Sequence, residues 1–291
     1  MINIRQNLLL SPLTWFKVGG VAEYFARPSN IEELTYIIKQ FPNFHIIGNT
    51  SNLLIADGLI EGCVIKLGSG FGKITQITET EFECGAACLD STIAQFMQSQ
   101  GVSGMEFLAT IPGSLGGNIV MNAGCFGGEV FDVLKSVTIL TENHKVETIH
   151  KKDIPHSYRH AVLPQNAIVL SAVLCGVKST PETVQTTMDG FMQKRLESQP
   201  VNVRTGGSTF KNPQGHSAWK LVQEVDAHKL KIGGAEVSPK HSNFLINTGS
   251  ATAQDIFTLG EIIRKQVFEK TGVMLEWEIK RVGCFKELQE T

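Results

Sequence analysis

Ile111-Pro112-Gly113-Ser114-Leu115-Gly116-Gly117-Asn118 and, two residues on, Met121-Asn122-Ala123-Gly124 set four glycines within fourteen residues. Bare backbone of this kind can approach a flat or phosphorylated ligand, Pro112 fixes the turn, and Asn118 and Asn122 supply amide contacts. Close helix-helix packing is the bland alternative. Outward from this run lie two smaller clusters of the same character. Gly48-Asn49-Thr50-Ser51-Asn52-Leu53-Leu54 is a tight turn directly after the short apolar strand 44–47, where backbone N–H groups and a Ser hydroxyl can cradle a pyrophosphate. Gly206-Gly207-Ser208-Thr209-Phe210-Lys211-Asn212-Pro213 sets a hydroxyl in a flexible turn beside a cation and an amide. On turn chemistry alone, each of these two reads more readily as structural than as functional.

The remaining pattern is α+β. Strands are expected at 22–26, 44–47, 62–67, 82–84, 137–140, 167–177, 244–246 and 275–282. Helices are expected at 31–40, 90–98, 181–196, 218–225 and 253–270. The Gly68-Ser69-Gly70 stretch marks a boundary, giving three lobes at 1–68, 69–180 and 181–291. In the last strand Glu276, Glu278 and Lys280 share one face, and Val273, Leu275, Trp277 and Ile279 the other. Ser157-Tyr158-Arg159-His160 offers a fixed cation beside an aromatic ring, suited to a carboxylate or a flavin carbonyl, although a surface Arg reads the same way.

Composition narrows the function classes. With 42% apolar and 19% charged residues over 291 positions the chain can bury a large core, and a net charge of -2 gives no global hold on nucleic acid or an anionic membrane. No apolar stretch approaches the roughly 20 residues that span a bilayer, and no leader opens the chain, so a cytoplasmic protein is expected. Six scattered cysteines lack zinc or redox-dithiol spacing, so reduced, mostly buried thiols and no metal site are expected. The Rossmann, P-loop, zincin and nucleophile-elbow signatures are all absent from the sequence.

Taken together and in order, the clusters resemble the UDP-N-acetylenolpyruvoylglucosamine reductase family. The resemblance runs from Trp15-Phe16-Lys17-Val18-Gly19-Gly20 to Leu275-Glu276-Trp277-Glu278. Its most specific pieces are Gly104-Met105-Glu106-Phe107-Leu108, residues 111–124, Tyr158-Arg159, residues 207–213, and Gly234-Ala235-Glu236-Val237-Ser238 with His241-Ser242-Asn243-Phe244. The last of these is similar to the family branch that lacks an extra tyrosine-bearing substrate loop.

The resemblance implies an FAD-binding fold of the p-cresol methylhydroxylase and vanillyl-alcohol oxidase type in two lobes, plus a C-terminal α+β lobe for a UDP-sugar. It implies FAD as cofactor, contacted by Gly48, Asn49, Thr50, Ser51, Asn52, Leu53, Ile111, Pro112, Gly113, Gly116, Gly117, Asn118, Asn122 and Gly124. Arg159, Ser208 and Glu278 correspond to the family's catalytic residues, and Lys211, Asn212 and Lys280 to substrate contacts. NADPH is the implied co-substrate, UDP-N-acetylglucosamine enolpyruvate the implied substrate, peptidoglycan synthesis the implied setting, and a monomer the expected state. Thr50 stands where the family turn has Gly, Asn118 where Ala is usual, Ala161 where a small polar residue often follows Tyr-Arg, and Lys280 where Arg is usual.

Chemically, a hydride on the enolpyruvyl methylene carbon leaves charge on the conjugated carboxylate, which Arg159 and a protonated Glu278 can stabilise. Ser208 then protonates C2, and because serine is a poor acid it needs help from Lys211 or an ordered water chain. A flavin oxidase with another substrate, or a noncatalytic nucleotide-sugar or flavin-binding regulator, are the rival readings; Ser208 and Glu278 together weigh against the first, and the retention of Arg159, Ser208 and Glu278 argues against the second.

Overall fold

The computed structural model describes residues 2–287, so the ends of the first and third expected lobes, 1 and 288–291, lie outside the described residues. The chain forms two compact units. The first comprises Met1–Ile4, Ala26–Asn49 and Ile65–Glu197; the second comprises Arg5–Phe25, Thr50–Val64 and Ser198–Thr291. Residues 1–68, read from the sequence as one lobe, therefore contribute to both.

The first unit is organised on a five-stranded sheet in the order Val146–His150, Leu134–Leu140, Ile168–Cys175, Glu81–Gly85, Ile74–Gln76, every neighbour antiparallel. Helix Leu115–Met121 packs on the central strand Ile168–Cys175 and buries Leu115 and Ile119. Helix Asp90–Ser99 buries Ile93, Ala94 and Met97 at helical spacing. Helix Ile31–Gln40 starts where the sequence places it, because Asn30 caps it by accepting the Glu33 N–H at 2.8 Å.

The second unit carries the antiparallel sheet Arg204–Ser208, Phe244–Asn247, Ala235–Val237, Lys231–Ile232, covered by helix Ala253–Thr271. Thr252 and Asp255 form a capping box at the start of that helix, and the Asp57 carboxylate accepts the N–H groups of Ala253 and Gln254 at 3.1 and 2.9 Å. Gly272, at φ +71, closes its other end. The core joins distant segments: Phe16, Val18 and Leu54 pack with Phe210, Leu221, Leu245, Ile256, Phe257 and Leu275. Lys280–Val282 pairs in parallel with Leu53–Ile55.

The expected strand over 275–282 is realised only as Lys280–Val282 and a bridge between Phe210 and Trp277. Trp277 accounts for the irregularity. Its indole fills the groove at Gly260, where a Cβ would lie 2.3 Å from the ring, and its Nε1 donates to Glu261 at 2.6 Å. All six cysteines are free; Cys63, Cys84 and Cys88 are buried, Cys125 and Cys175 half-buried, and Cys284 exposed. Burial pushes the Cys63 thiol up to about 11 and the Cys84 thiol to about 12, leaving both unreactive at neutral pH. No described helix is long and apolar enough to cross a membrane.

Candidate active site

Within the first unit, the end of the turn at Gly48 and Asn49 meets the long glycine run. Asn49 Nδ2 donates to the Pro112 carbonyl at 2.7 Å, and a Cβ on Gly48 would lie 2.7 Å from Ser114 Oγ. Two clusters more than sixty residues apart in sequence therefore touch through bare backbone. Ile111 ends a short 3-10 helix, Ser114 precedes helix Leu115–Met121, and Gly116 approaches Ala86 so closely that a Cβ would lie 3.0 Å from the Ala86 Cβ. Gly117 is exposed, and only the Ser114 hydroxyl, at 4.0 Å, comes near the place of a Cβ. That hydroxyl makes no hydrogen bond among the described residues. An open glycine beside an unpartnered hydroxyl fits the diphosphate of a dinucleotide. Ser114 lies inside the run read from the sequence but was not singled out there.

Asn118 is buried and donates Nδ2 to Asp90 at 2.5 Å. Asn122 caps the same helix in the left-handed conformation, φ +46, accepts the Phe131 N–H and donates to the Ser157 carbonyl at 3.1 Å. That contact leads straight to Arg159, in the two-residue loop between His156–Ser157 and His160–Ala161. Arg159 has φ +56, an uncommon conformation for a residue with a Cβ. Its guanidinium donates to the carbonyls of Gly124 at 2.5 Å and Asn122 at 3.4 Å, and lies 4.8 Å from the Tyr158 ring. Backbone of the glycine run thus aims the cation.

In the second unit, Thr50 also adopts a left-handed backbone, φ +59, and its hydroxyl donates to the Leu13 carbonyl at 2.8 Å. The conformation is the one a glycine takes freely and a β-branched residue rarely adopts, so the backbone does not explain the Thr that stands here. Ser51 carbonyl faces Gly207, 3.8 Å from the place of a Cβ. Strand Arg204–Ser208 slips its register between Thr205 and Ser208, so Gly206 and Gly207 form a bulge that re-aims the half-buried Ser208. A Cβ on Gly206 would collide with the Phe16 ring at 2.4 Å.

Ser208 and Glu278 are brought together through the main chain. Thr209, next to Ser208, accepts the Glu278 N–H at 2.8 Å, and Asn243 secures the next residue by pairing both amide atoms with the Phe210 backbone. Asn52 Nδ2 holds the Glu278 carbonyl from the other side at 3.0 Å. Leu53 begins the strand that pairs with Lys280. Lys211 Nζ lies 3.4 Å from Glu276, and Asn212 Oδ1 accepts the Ala218 N–H at 2.9 Å, at the start of helix Ala218–Glu224. Lys280 lines a cavity of about 410 Å³ with Trp277, Ile279 and Arg281.

Asp90 is the group that sequence reasoning missed. An acid in the first turn of a helix reads as an exposed dipole partner, and only the tertiary packing buries it.

Residues 199–282 match the family model for the C-terminal domain of UDP-N-acetylenolpyruvoylglucosamine reductase, and residues 22–150 match the model of an FAD binding domain. The UDP-N-acetylenolpyruvoylglucosamine reductase of Acidiphilium cryptum is 46% identical over 277 residues, covering 94% of this chain and 89% of that protein. Those of Caulobacter vibrioides and Sphingopyxis alaskensis are 43% and 42% identical, each over 94% of this chain and 93% of its own length. The crystal structure of UDP-N-acetylenolpyruvylglucosamine reductase from Thermus caldophilus superposes with a TM-score of 0.85 at 29% identity, covering 97% of this chain and 99% of that one. The chain belongs to the UDP-N-acetylenolpyruvoylglucosamine reductase family of FAD-dependent oxidoreductases.

Proposed function

We propose that this protein reduces UDP-N-acetylglucosamine enolpyruvate to UDP-N-acetylmuramate with NADPH, through FAD, in cytoplasmic peptidoglycan precursor synthesis, and so serves cell-wall biogenesis, cell shape and division. It works as a monomer, without metal, nucleic acid or membrane insertion. The observation that carries the reading is the joint between Thr209 and Glu278, which ties a hydroxyl-bearing bulge to a carboxylate in a chain so similar to named reductases.

FAD, when bound, supplies a two-electron carrier between NADPH and the enolpyruvyl group. Residues 48–53, with Ile111, Pro112, Gly113, Gly116, Gly117, Asn118, Asn122 and Gly124, are assigned to hold it, and Ser114 joins them through its hydroxyl. Arg159 grips the substrate carboxylate and stabilises the charge that develops there, a task for a permanent cation with a planar donor fork. Glu278 donates a hydrogen bond to the same developing enediolate. Ser208 delivers the proton to C2. Lys211, Asn212 and Lys280 contact the UDP-sugar, and residues 1–68, 69–180 and 181–291 act as two cofactor lobes and one substrate lobe.

The test is a visible spectrum of the purified protein under anaerobic conditions. NADPH bleaches the flavin bands and the enolpyruvyl substrate restores them. A folded protein that neither carries nor takes up FAD, or one whose reduced flavin is not reoxidised by that substrate, overturns the reading.

A further inference from the structure

Asp90 is wholly buried, and no role assigned above uses it. It opens helix Asp90–Ser99. One carboxyl oxygen, Oδ2, accepts the Asn118 amide, while the other, Oδ1, is buried with no hydrogen-bond partner. The influences on the carboxyl are burial, the Asn118 amide and the Gly113 backbone; no cation among the described residues is one of them. An ionised carboxylate withdrawn from water with so few donors and an orphan oxygen is strongly disfavoured, and protonation removes the penalty. Burial accordingly pushes this carboxyl up to about 8, with the hydrogen bonds from Asn118 and Gly113 opposing.

The acid presses on the glycine run itself. A Cβ on Gly113 would lie 2.5 Å from Asp90 Oδ2 and 2.6 Å from Asn118 Oδ1, so acid and amide pack against the bare face of the residue that opens the turn. We propose that Asp90 is a positioning residue that supports this turn as a neutral acid, and that binding of the FAD diphosphate is coupled to proton uptake at Asp90. The inference rests on the reading of residues 111–118 as part of the cofactor site.

A diphosphate brings negative charge to the turn. An ionised Asp90 repels it and a protonated one does not, so the bound anion favours the protonated form. By linkage, affinity for FAD is full below the carboxyl's range in the free protein and falls as pH rises through it. The titratable groups coupled to Asp90 among the described residues are the thiols of Cys88 and Cys125, both of which burial pushes above the usual thiol range. Arg159 and Arg195 act on the Cys125 thiol.

Calorimetric titration of FAD into the full-length protein, freed of its flavin, in buffers of different ionisation heat reads the coupling directly. Proton uptake approaching one per FAD is expected near pH 9, with a Kd about tenfold weaker near pH 9 than near pH 7. Asp90→Asn, which keeps the shape and loses the titration, is expected to abolish both effects. In the holoenzyme, the infrared carbonyl band of a protonated buried acid is expected to persist near pH 9 and to be missing from that variant. If Asp90→Asn does not fold, proton uptake by the wild-type protein decides alone. FAD binding with unchanged Kd and no proton uptake overturns the coupling and leaves the cofactor reading intact. Failure of the folded wild-type protein to bind FAD at any pH overturns that reading and the coupling with it.

Discussion

Asn52 holds the main chain on both sides of Ile279, directly after Glu278: its Nδ2 donates to the Glu278 carbonyl at 3.0 Å, and its own carbonyl accepts the Lys280 N–H at 3.0 Å. With the Glu278 N–H on Thr209, the acid is fixed at donor and acceptor alike. Truncation in Asn52→Ala removes the hydrogen bond to the Glu278 carbonyl, a loss of about 0.5–1.5 kcal/mol in stability. At saturating FAD, reoxidation by the enolpyruvyl substrate is expected to slow about tenfold through misplacement of the carboxyl, with flavin reduction by NADPH less affected. Stopped-flow measurement of the two half-reactions separates them, and equal slowing of both refutes the clamp.

Arg159→Lys keeps a charge but cannot hold the carbonyls of Asn122 and Gly124 and a substrate carboxylate with one planar group. The substrate half-reaction is expected to fall about 10²-fold, with flavin reduction by NADPH nearly unchanged. Equal loss in both half-reactions would reassign Arg159 to holding the flavin.

Ser208→Ala leaves the bulge intact, since Gly206 and Gly207 supply its geometry. Reoxidation by substrate is expected to slow by about 10²–10⁴-fold while flavin binding stays normal, and Ser208→Cys is expected to recover part of the rate. Single turnovers run in deuterated solvent and then quenched report the label at C2. Wild-type speed with C2 labelled on one face means that another group delivers the proton.

Gly260→Ala sets two effects against each other. Alanine favours the helix by about 1 kcal/mol, yet its Cβ meets the Trp277 ring at 2.3 Å and forces the indole off Glu261. Overpacking of this kind costs about 1–3 kcal/mol, so a Tm lower by several degrees is expected in calorimetry. A raised Tm would show that the indole yields without loss.

Helix 31–40 was readable because the apolar residues Leu34, Ile37 and Ile38 recur at helical spacing, and the structure ends that helix where the pattern does. Strand 44–47 and helix 253–270 are equally local, and they form as Phe44–Ile47 and Ala253–Thr271. Residues 273–279 alternate like a strand, but the pattern is silent on where an indole fits. The Gly260 groove that bends this segment lies in another element. The three glycine clusters announced themselves by composition, whereas the latch from Asn49 to Pro112 and the bulge before Ser208 are tertiary. Asp90 was illegible for the same reason: burial and a missing partner are properties of the packed core.

The second unit is assembled from Arg5–Phe25, Thr50–Val64 and Ser198–Thr291. During vectorial synthesis the first two segments leave the ribosome long before the third exists. Phe16, Val18 and Leu54 then have no Phe210, Leu245 or Leu275 to pack against, and Leu53–Ile55 has no Lys280–Val282 to pair with. The nascent chain therefore carries exposed apolar side chains until the third segment follows, and this unit can close only once Lys280–Val282 has left the ribosome. Chaperone demand should accordingly track the second unit rather than the first, whose sheet is complete once Cys175 has emerged.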